Sequence, residues 1–278
     1  MASVLCIHGI AQELKSRESL LAEWAPSLAG GVSNAGGRLD QSNIDMVFYG
    51  GLFRLPGMTK SGCDIPDVSA GDLEDPLEQA LLADLYDEIE PAAIDATGTK
   101  AGPRRSLAHM LQFVGAAPFF GERAQRMVVW FLKQVRSYLG DPRIHHAAQQ
   151  ALLDRLTDET AVIVAHSLGT IVAYETLCSY PQRSVRALVT LGSPLGAPSI
   201  LPKLVPAVTA GNAPPSRLQQ WVNVADRADV VALPKQLRPV YGDRVVDRAV
   251  HNGATMHDVA PYLTAPETGR AILDGLCR

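Results

Sequence analysis

One stretch constrains the fold more than any other, AVIVAHSLGTIVAYE at residues 161–175. Ala161 to Ala165 is an unbroken apolar run, the pattern of a strand buried on both faces in a parallel sheet. Leu168 to Cys178 has the small and apolar composition of a helix packed on all sides. Only His166 and Ser167 separate the two, so strand passes into helix through a very tight turn. Ala165 and Gly169, two residues before and two after Ser167, are small enough to permit it. The residue at the apex of such a turn is held in a strained conformation with its side chain presented outward. A chain carrying this unit is committed to strand–helix alternation.

The rest of the chain follows that alternation. Val4 to Ile7 reads as a buried strand ending in His8-Gly9, and Glu18 to Leu28 as a helix with Leu21, Trp24 and Leu28 on one side. The glycines at 30, 31, 36 and 37 are expected to break that helix. Asp45 to Tyr49 reads as a second strand. Beyond the central stretch, Ala187 to Leu191 and Trp221 to Ala225 read as strands, with Val245 to Val250 a further candidate. A Pro-rich connection runs from Pro194 to Pro215. Thr264-Ala-Pro-Glu267 has the form of a capping box and opens a last helix to about Leu276. The expected fold class is α/β, a reduced and mainly parallel sheet of about six strands flanked by helices.

Between the second strand and the central one lies a segment of different character, residues 55–155, read as a helical insertion within a single domain spanning 1–278. Ser61 to Thr99 holds eleven Asp or Glu and no Lys or Arg, whereas Lys100 to Tyr138 holds seven Lys or Arg and one acid, Glu122. Leu73, Leu77, Leu81 and Leu85 recur every four residues, followed by Ile89, which predicts an amphipathic helix with an acidic outer face. Leu107 to Val114, Phe119-Phe120 and Met127 to Leu132 offer more apolar surface than one helix face buries. Some of these helices are therefore expected to cap Ser167, the alternative being that they only complete the layer flanking the sheet.

Composition excludes several classes of function. A net charge of −4 argues against nucleic acid or an anionic membrane as the main partner. The longest apolar run, Met127 to Leu132, is far below the roughly 20 residues of a membrane span. The N-terminal MASVLCIHGI has no basic region followed by a long apolar one, so a cytoplasmic protein is the expectation. Cys6, Cys63, Cys178 and Cys277 show no metal-binding spacing. Asp64, Asp67, Asp72 and Asp75 lack the Gly and closing Glu of a calcium loop and are read as a solvated face. The adjacent His145 and His146 are read as surface histidines. No cofactor motif is present, and oligomeric state is left open.

A serine at a strand–helix apex is a poor nucleophile unless a base lies within hydrogen-bond reach. Imidazole suits that role, and a carboxylate fixes its tautomer. At AHSLG, VLCIHGI, ALVTLGSPLG, WVNVADRADVV and HNGATMHDVAPYL, the chain resembles the α/β-hydrolase superfamily, and within it the lipase- and esterase-like serine hydrolases with an HG oxyanion loop. Ala165 stands where the strict GxSxG pattern has glycine. The matching segments cover about the first 50 residues and the last 120.

The resemblance implies cleavage of a carboxylic ester or thioester through an acyl-serine, with a small-molecule substrate and no cofactor. Ser167 would be the nucleophile. The acid falls on Asp226 or Asp229, with Asp229 favoured for its place before Val230-Val231. The base falls on His251 or His257, with His257 favoured for its place ahead of the last helix. The amides of Ile10 and Leu168 would form the oxyanion hole. His166 and His8 are read as packing residues. The alternative function is a non-catalytic protein of the same fold whose insertion binds a protein partner.

Overall fold

The computed structural model describes residues 3–55, 67–90, 106–116, 124–180, 185–206, 215, 218–253 and 256–277. Its elements in chain order are β1 (Val4–Ile7), α1 (Arg17–Asn34), β2 (Ile44–Val47), α2 (Pro76–Ile89), α3 (Leu107–Gly115), α4 (Ala124–Gly140), α5 (Pro142–Leu153), β3 (Val162–His166), α6 (Leu168–Ser179), β4 (Ala187–Leu191), β5 (Gln220–Asp226), α7 (Arg238–Tyr241), β6 (Val245–Val250), α8 (Val259–Thr264) and α9 (Pro266–Cys277). The six strands form one sheet in the order β2-β1-β3-β4-β5-β6, and every pairing is parallel. The architecture is α/β. The expected mainly parallel sheet of about six strands is an all-parallel one of six. Phe119-Phe120 and Asp64 lie outside the described residues.

The apolar runs become strands because both faces of the sheet are covered. Successive residues of β1 divide between the two sides: Leu5 and Ile7 join one apolar cluster, Val4 and Cys6 the other. The first cluster packs α2 through α6 against the sheet, and the second packs α1, α8 and α9. The described helices of the insertion therefore complete a flanking layer, with Val128, Val129 and Leu132 fully buried in it. Among the described residues no helix is long and apolar enough to cross a membrane, and no group of three or more His, Cys, Asp or Glu could hold a metal ion.

Three expectations require correction. The glycines at 30 and 31 do not end α1, which runs on to Asn34 and stops before Gly36, whose φ is +82°. Gly31 serves close packing instead: a Cβ there would lie 2.1 Å from the Leu263 carbonyl oxygen, and one on Gly269 of α9 would lie 2.1 Å from the Gly31 carbonyl oxygen. The last helix runs over Pro266–Cys277 much as expected and opens on Pro266, a residue suited to a first turn, but Thr264 is the last residue of the separate helix α8, where its hydroxyl donates to the Ala260 carbonyl at 3.0 Å, and does not cap α9. His145 is not a surface histidine. Its Nε2 lies 3.0 Å from Glu175 Oε2, and Glu175 is fully buried on α6, where it also accepts from the Tyr138 hydroxyl at 2.5 Å and the Val205 amide at 2.7 Å.

Candidate active site

The turn between β3 and α6 has the strained geometry that its sequence demands. Ser167 has φ 52° and ψ −127°, a conformation an L-residue adopts only when its surroundings enforce it. Those surroundings are tight. A Cβ on Gly9 would stand 2.7 Å from Ser167 Cβ, and one on Gly169 would stand 2.4 Å from the His8 carbonyl oxygen. The serine is also fully buried, not exposed as an apex side chain would be, because it forms the floor of a cleft of about 330 Å³. Its Oγ has no hydrogen-bond partner among the described residues.

The β5 end and the loop before α8 bring Asp229 and His257 together. His257 Nδ1 lies 2.7 Å from Asp229 Oδ2, and both residues are buried. The other carboxylate oxygen accepts from the Val231 amide at 2.9 Å and the Ala232 amide at 3.3 Å, and Tyr262 Oη donates to Oδ2 at 2.7 Å. Burial pushes the Asp229 carboxyl up. The neighbouring His257, Tyr262 and Val231 outweigh that effect and hold it below its usual value. An ionised carboxylate on Nδ1 fixes the imidazole with Nε2 as its other working atom. His257 lines the same cleft as Ser167.

Asp226 does different work. It is fully buried at the end of β5, where Oδ1 accepts from the Ala228 amide at 2.7 Å and Oδ2 from the Asn252 amide. Its nearest imidazole is His251, 3.8 Å away, with a side chain 86% exposed. Of the two candidate pairs, Asp229 and His257 are the pair in the cleft.

His8 and His166 are fixed neutral. Burial lowers the His166 imidazole to about 3, and its Nε2 bonds the His257 carbonyl oxygen at 2.9 Å. Burial likewise lowers His8 to about 4. Its Nδ1 donates to the Gly9 carbonyl at 2.6 Å, while Nε2 accepts from the Tyr49 amide at 3.1 Å.

Ile10 lines the cleft beside Gly9. The next residue, Ala11, has φ 57°, and its N–H donates to Gln134 Oε1 on α4 at 3.2 Å. Trp130, one turn earlier on α4, donates its indole N–H to Glu13 Oε1 at 2.7 Å. The insertion thus clamps the loop that carries Ile10 at two points. Leu168 is the first residue of α6, so its N–H has no carbonyl to pair with inside the helix. Met127 of α4 also lines the cleft, together with Trp24 and Val259. One described helix of the insertion, α4, therefore reaches the cleft of the serine, while the other described helices pack in the layer on the sheet. Sequence patterning gave no sign of Gln134, Glu13 or the Tyr262 hydroxyl. These contacts join residues 123, 117 and 33 positions apart. Compared with family models, curated proteins and solved structures, the chain matches none.

Proposed function

We propose that this protein is a serine hydrolase that cleaves a carboxylic ester, or a thioester, through an acyl-serine intermediate. The observation that carries the reading is a single cleft holding a positive-φ serine at a strand–helix turn and a histidine held by a buried carboxylate. The strand order and the chain order Ser167, Asp229, His257 also resemble the lipase- and esterase-like α/β-hydrolases.

The chemistry follows from those parts. His257 Nε2 takes the Ser167 proton as Oγ attacks the substrate carbonyl, and the resulting imidazolium is stabilised by Asp229. The Leu168 and Ile10 amides donate to the oxyanion that forms. His257 returns its proton to the leaving oxygen or sulfur, releasing the alcohol or thiol. A water then repeats the sequence on the acyl-serine and releases the acid. A cleft of about 330 Å³ is at the small end of ligand sites, which favours short acyl groups.

A fluorophosphonate probe tests the reading, because it reacts only with an activated serine. Labelling of the folded wild-type protein that disappears in Ser167→Ala is the expected result. Folded protein that takes no label, or a Ser167→Ala variant that labels equally, overturns it and leaves a partner-binding role for the insertion.

A further inference from the structure

The two peptides on either side of Ile10 are pinned by side chains. His8 Nδ1 donates to the Gly9 carbonyl at 2.6 Å. The other ring nitrogen places that proton on Nδ1, because Nε2 accepts from the Tyr49 amide at 3.1 Å. Gln12 Nε2 donates to the Ile10 carbonyl at 3.1 Å, and the Ala11 N–H donates to Gln134 Oε1 at 3.2 Å. These are three of the four polar groups in the peptides Gly9–Ile10 and Ile10–Ala11. The fourth, the Ile10 N–H, has no partner among the described residues.

Both peptides are trans, and a trans peptide is planar with its N–H opposed to its C=O. The bond from His8 to the Gly9 oxygen therefore also fixes the direction of the Ile10 N–H. It polarises the same peptide and strengthens that N–H as a donor. Gln12 and Gln134 hold the next peptide at both its ends, so it cannot rotate without breaking one of the two bonds. His8 is itself held: its ring stacks on Tyr49 with centroids 4.2 Å apart, and the Tyr49 hydroxyl donates to the His8 carbonyl at 2.7 Å. That carbonyl lies against Gly169, the neighbour of Leu168, which ties the two candidate donors to each other. Gln134 reaches this loop from α4, 123 residues away in the chain.

We propose that His8, Gln12 and Gln134 are positioning residues that pre-set the Ile10 amide as an oxyanion donor. They act through the two peptides, and the insertion takes part in turnover through Gln134 as well as through the cleft wall. This role rests on the reading of Ser167 as the nucleophile of an acyl transfer.

The test compares two variants of the full-length protein. Gln134→Met removes the acceptor at nearly constant volume, and His8→Phe keeps a ring on Tyr49 without the donor. Each should lower kcat for p-nitrophenyl butyrate about tenfold with KM little changed, because the oxyanion exists only beyond the ground state. Affinity for a trifluoromethyl ketone, whose adduct with Ser167 carries an oxyanion, should fall by the same factor. The double variant should lose no more than about 10²–10³, the worth of one donor. Gln12→Met, at a half-buried position, repeats the test where a buried variant fails to fold. With wild type active, unchanged kcat in the folded variants, or a loss confined to KM with ketone affinity unchanged, overturns the proposal and leaves the serine reading standing. Wild-type protein that neither cleaves the ester nor takes a fluorophosphonate overturns that reading, and this proposal with it.

Discussion

Tyr262 donates its hydroxyl proton to Asp229 Oδ2, the same oxygen that holds His257. Its own oxygen accepts from the Asp226 amide at 2.8 Å, so one phenol ties the acid of the candidate triad to the end of β5. Burial, first of all, raises the Tyr262 hydroxyl far above its ordinary range, and it remains a donor at any working pH. Tyr262→Phe should lower stability by about 1–3 kcal/mol through the orphaned amide. It should also lower kcat for ester hydrolysis about tenfold with KM little changed. Urea unfolding and p-nitrophenyl butyrate kinetics measure the two effects separately.

Asp229→Asn and Asp226→Asn should separate into different kinds of damage. The first replaces the acceptor of His257 Nδ1 and is expected to cost on the order of 10⁴ in kcat, the scale for a lost tautomer-setting carboxylate. The second disturbs the amides of Ala228 and Asn252 and should cost about 1–3 kcal/mol of stability while kcat stays within tenfold. A larger kcat loss in Asp226→Asn would reverse the assignment of the acid.

At Gly192 a single methyl group would press on both Asp229 and His257. A Cβ there would stand 2.7 Å from Asp229 Oδ2 and 3.0 Å from His257 Nδ1, and its φ of +53° disfavours any side chain. Gly192→Ala is expected to lose about 1–2 kcal/mol to backbone strain and at least 100-fold in kcat, on the scale set by small misplacements of catalytic groups. Thermal unfolding and fluorophosphonate labelling rate provide the two readouts.

Acid should unfold the protein through its buried neutral histidines. The folded-state values of His166 and His8 lie at about 3 and about 4, below the 6.5 of the unfolded chain. The unfolded state therefore binds more protons between those limits. Both contributions are intact above pH 6.5 and are lost as pH falls toward 4, at up to about 1.4 kcal/mol per pH unit for each histidine. Urea midpoints at pH 7 and pH 4.5 should differ accordingly, with a shallower dependence in His8→Gln.

On the proposed reading, Met127, which lines the cleft of Ser167, limits the reach of the acyl group. With it in the cleft wall, p-nitrophenyl acetate and butyrate should be cleaved with at least tenfold higher kcat/KM than the palmitate. Met127→Ala should narrow that ratio, chiefly by raising kcat/KM for the longer esters. An unchanged ratio would show that the acyl chain leaves the cleft by another wall.

The parts of this molecule visible in its sequence are those whose causes are local. The run from Ala161 to Cys178 declares strand, turn and helix because periodicity and small flanking residues lie within one window. Asp226 and Asp229 were both identifiable as acids. The choice between them depends on how the loop after β5 folds back on Val231 and Ala232. Gly31 misled because a glycine needed for contact with Leu263 looks the same in sequence as one that ends a helix. His145 misled because its carboxylate partner, Glu175, lies 30 residues on and belongs to another helix. The Tyr262, Gln134 and Trp130 contacts are settled by packing alone.

The contact of Gly31 with Gly269 also bears on how the chain is made. α1 leaves the ribosome more than 200 residues ahead of α8 and α9, which lie against it. Until they emerge, the apolar side of α1 at Leu20, Trp24 and Leu28 lacks the part of its cover that Tyr262, Leu263, Ala271 and Ile272 provide. The nascent protein thus carries an open hydrophobic face until α8 and α9 have been made. A chain halted before residue 259 would leave that layer unfinished, a natural substrate for chaperones.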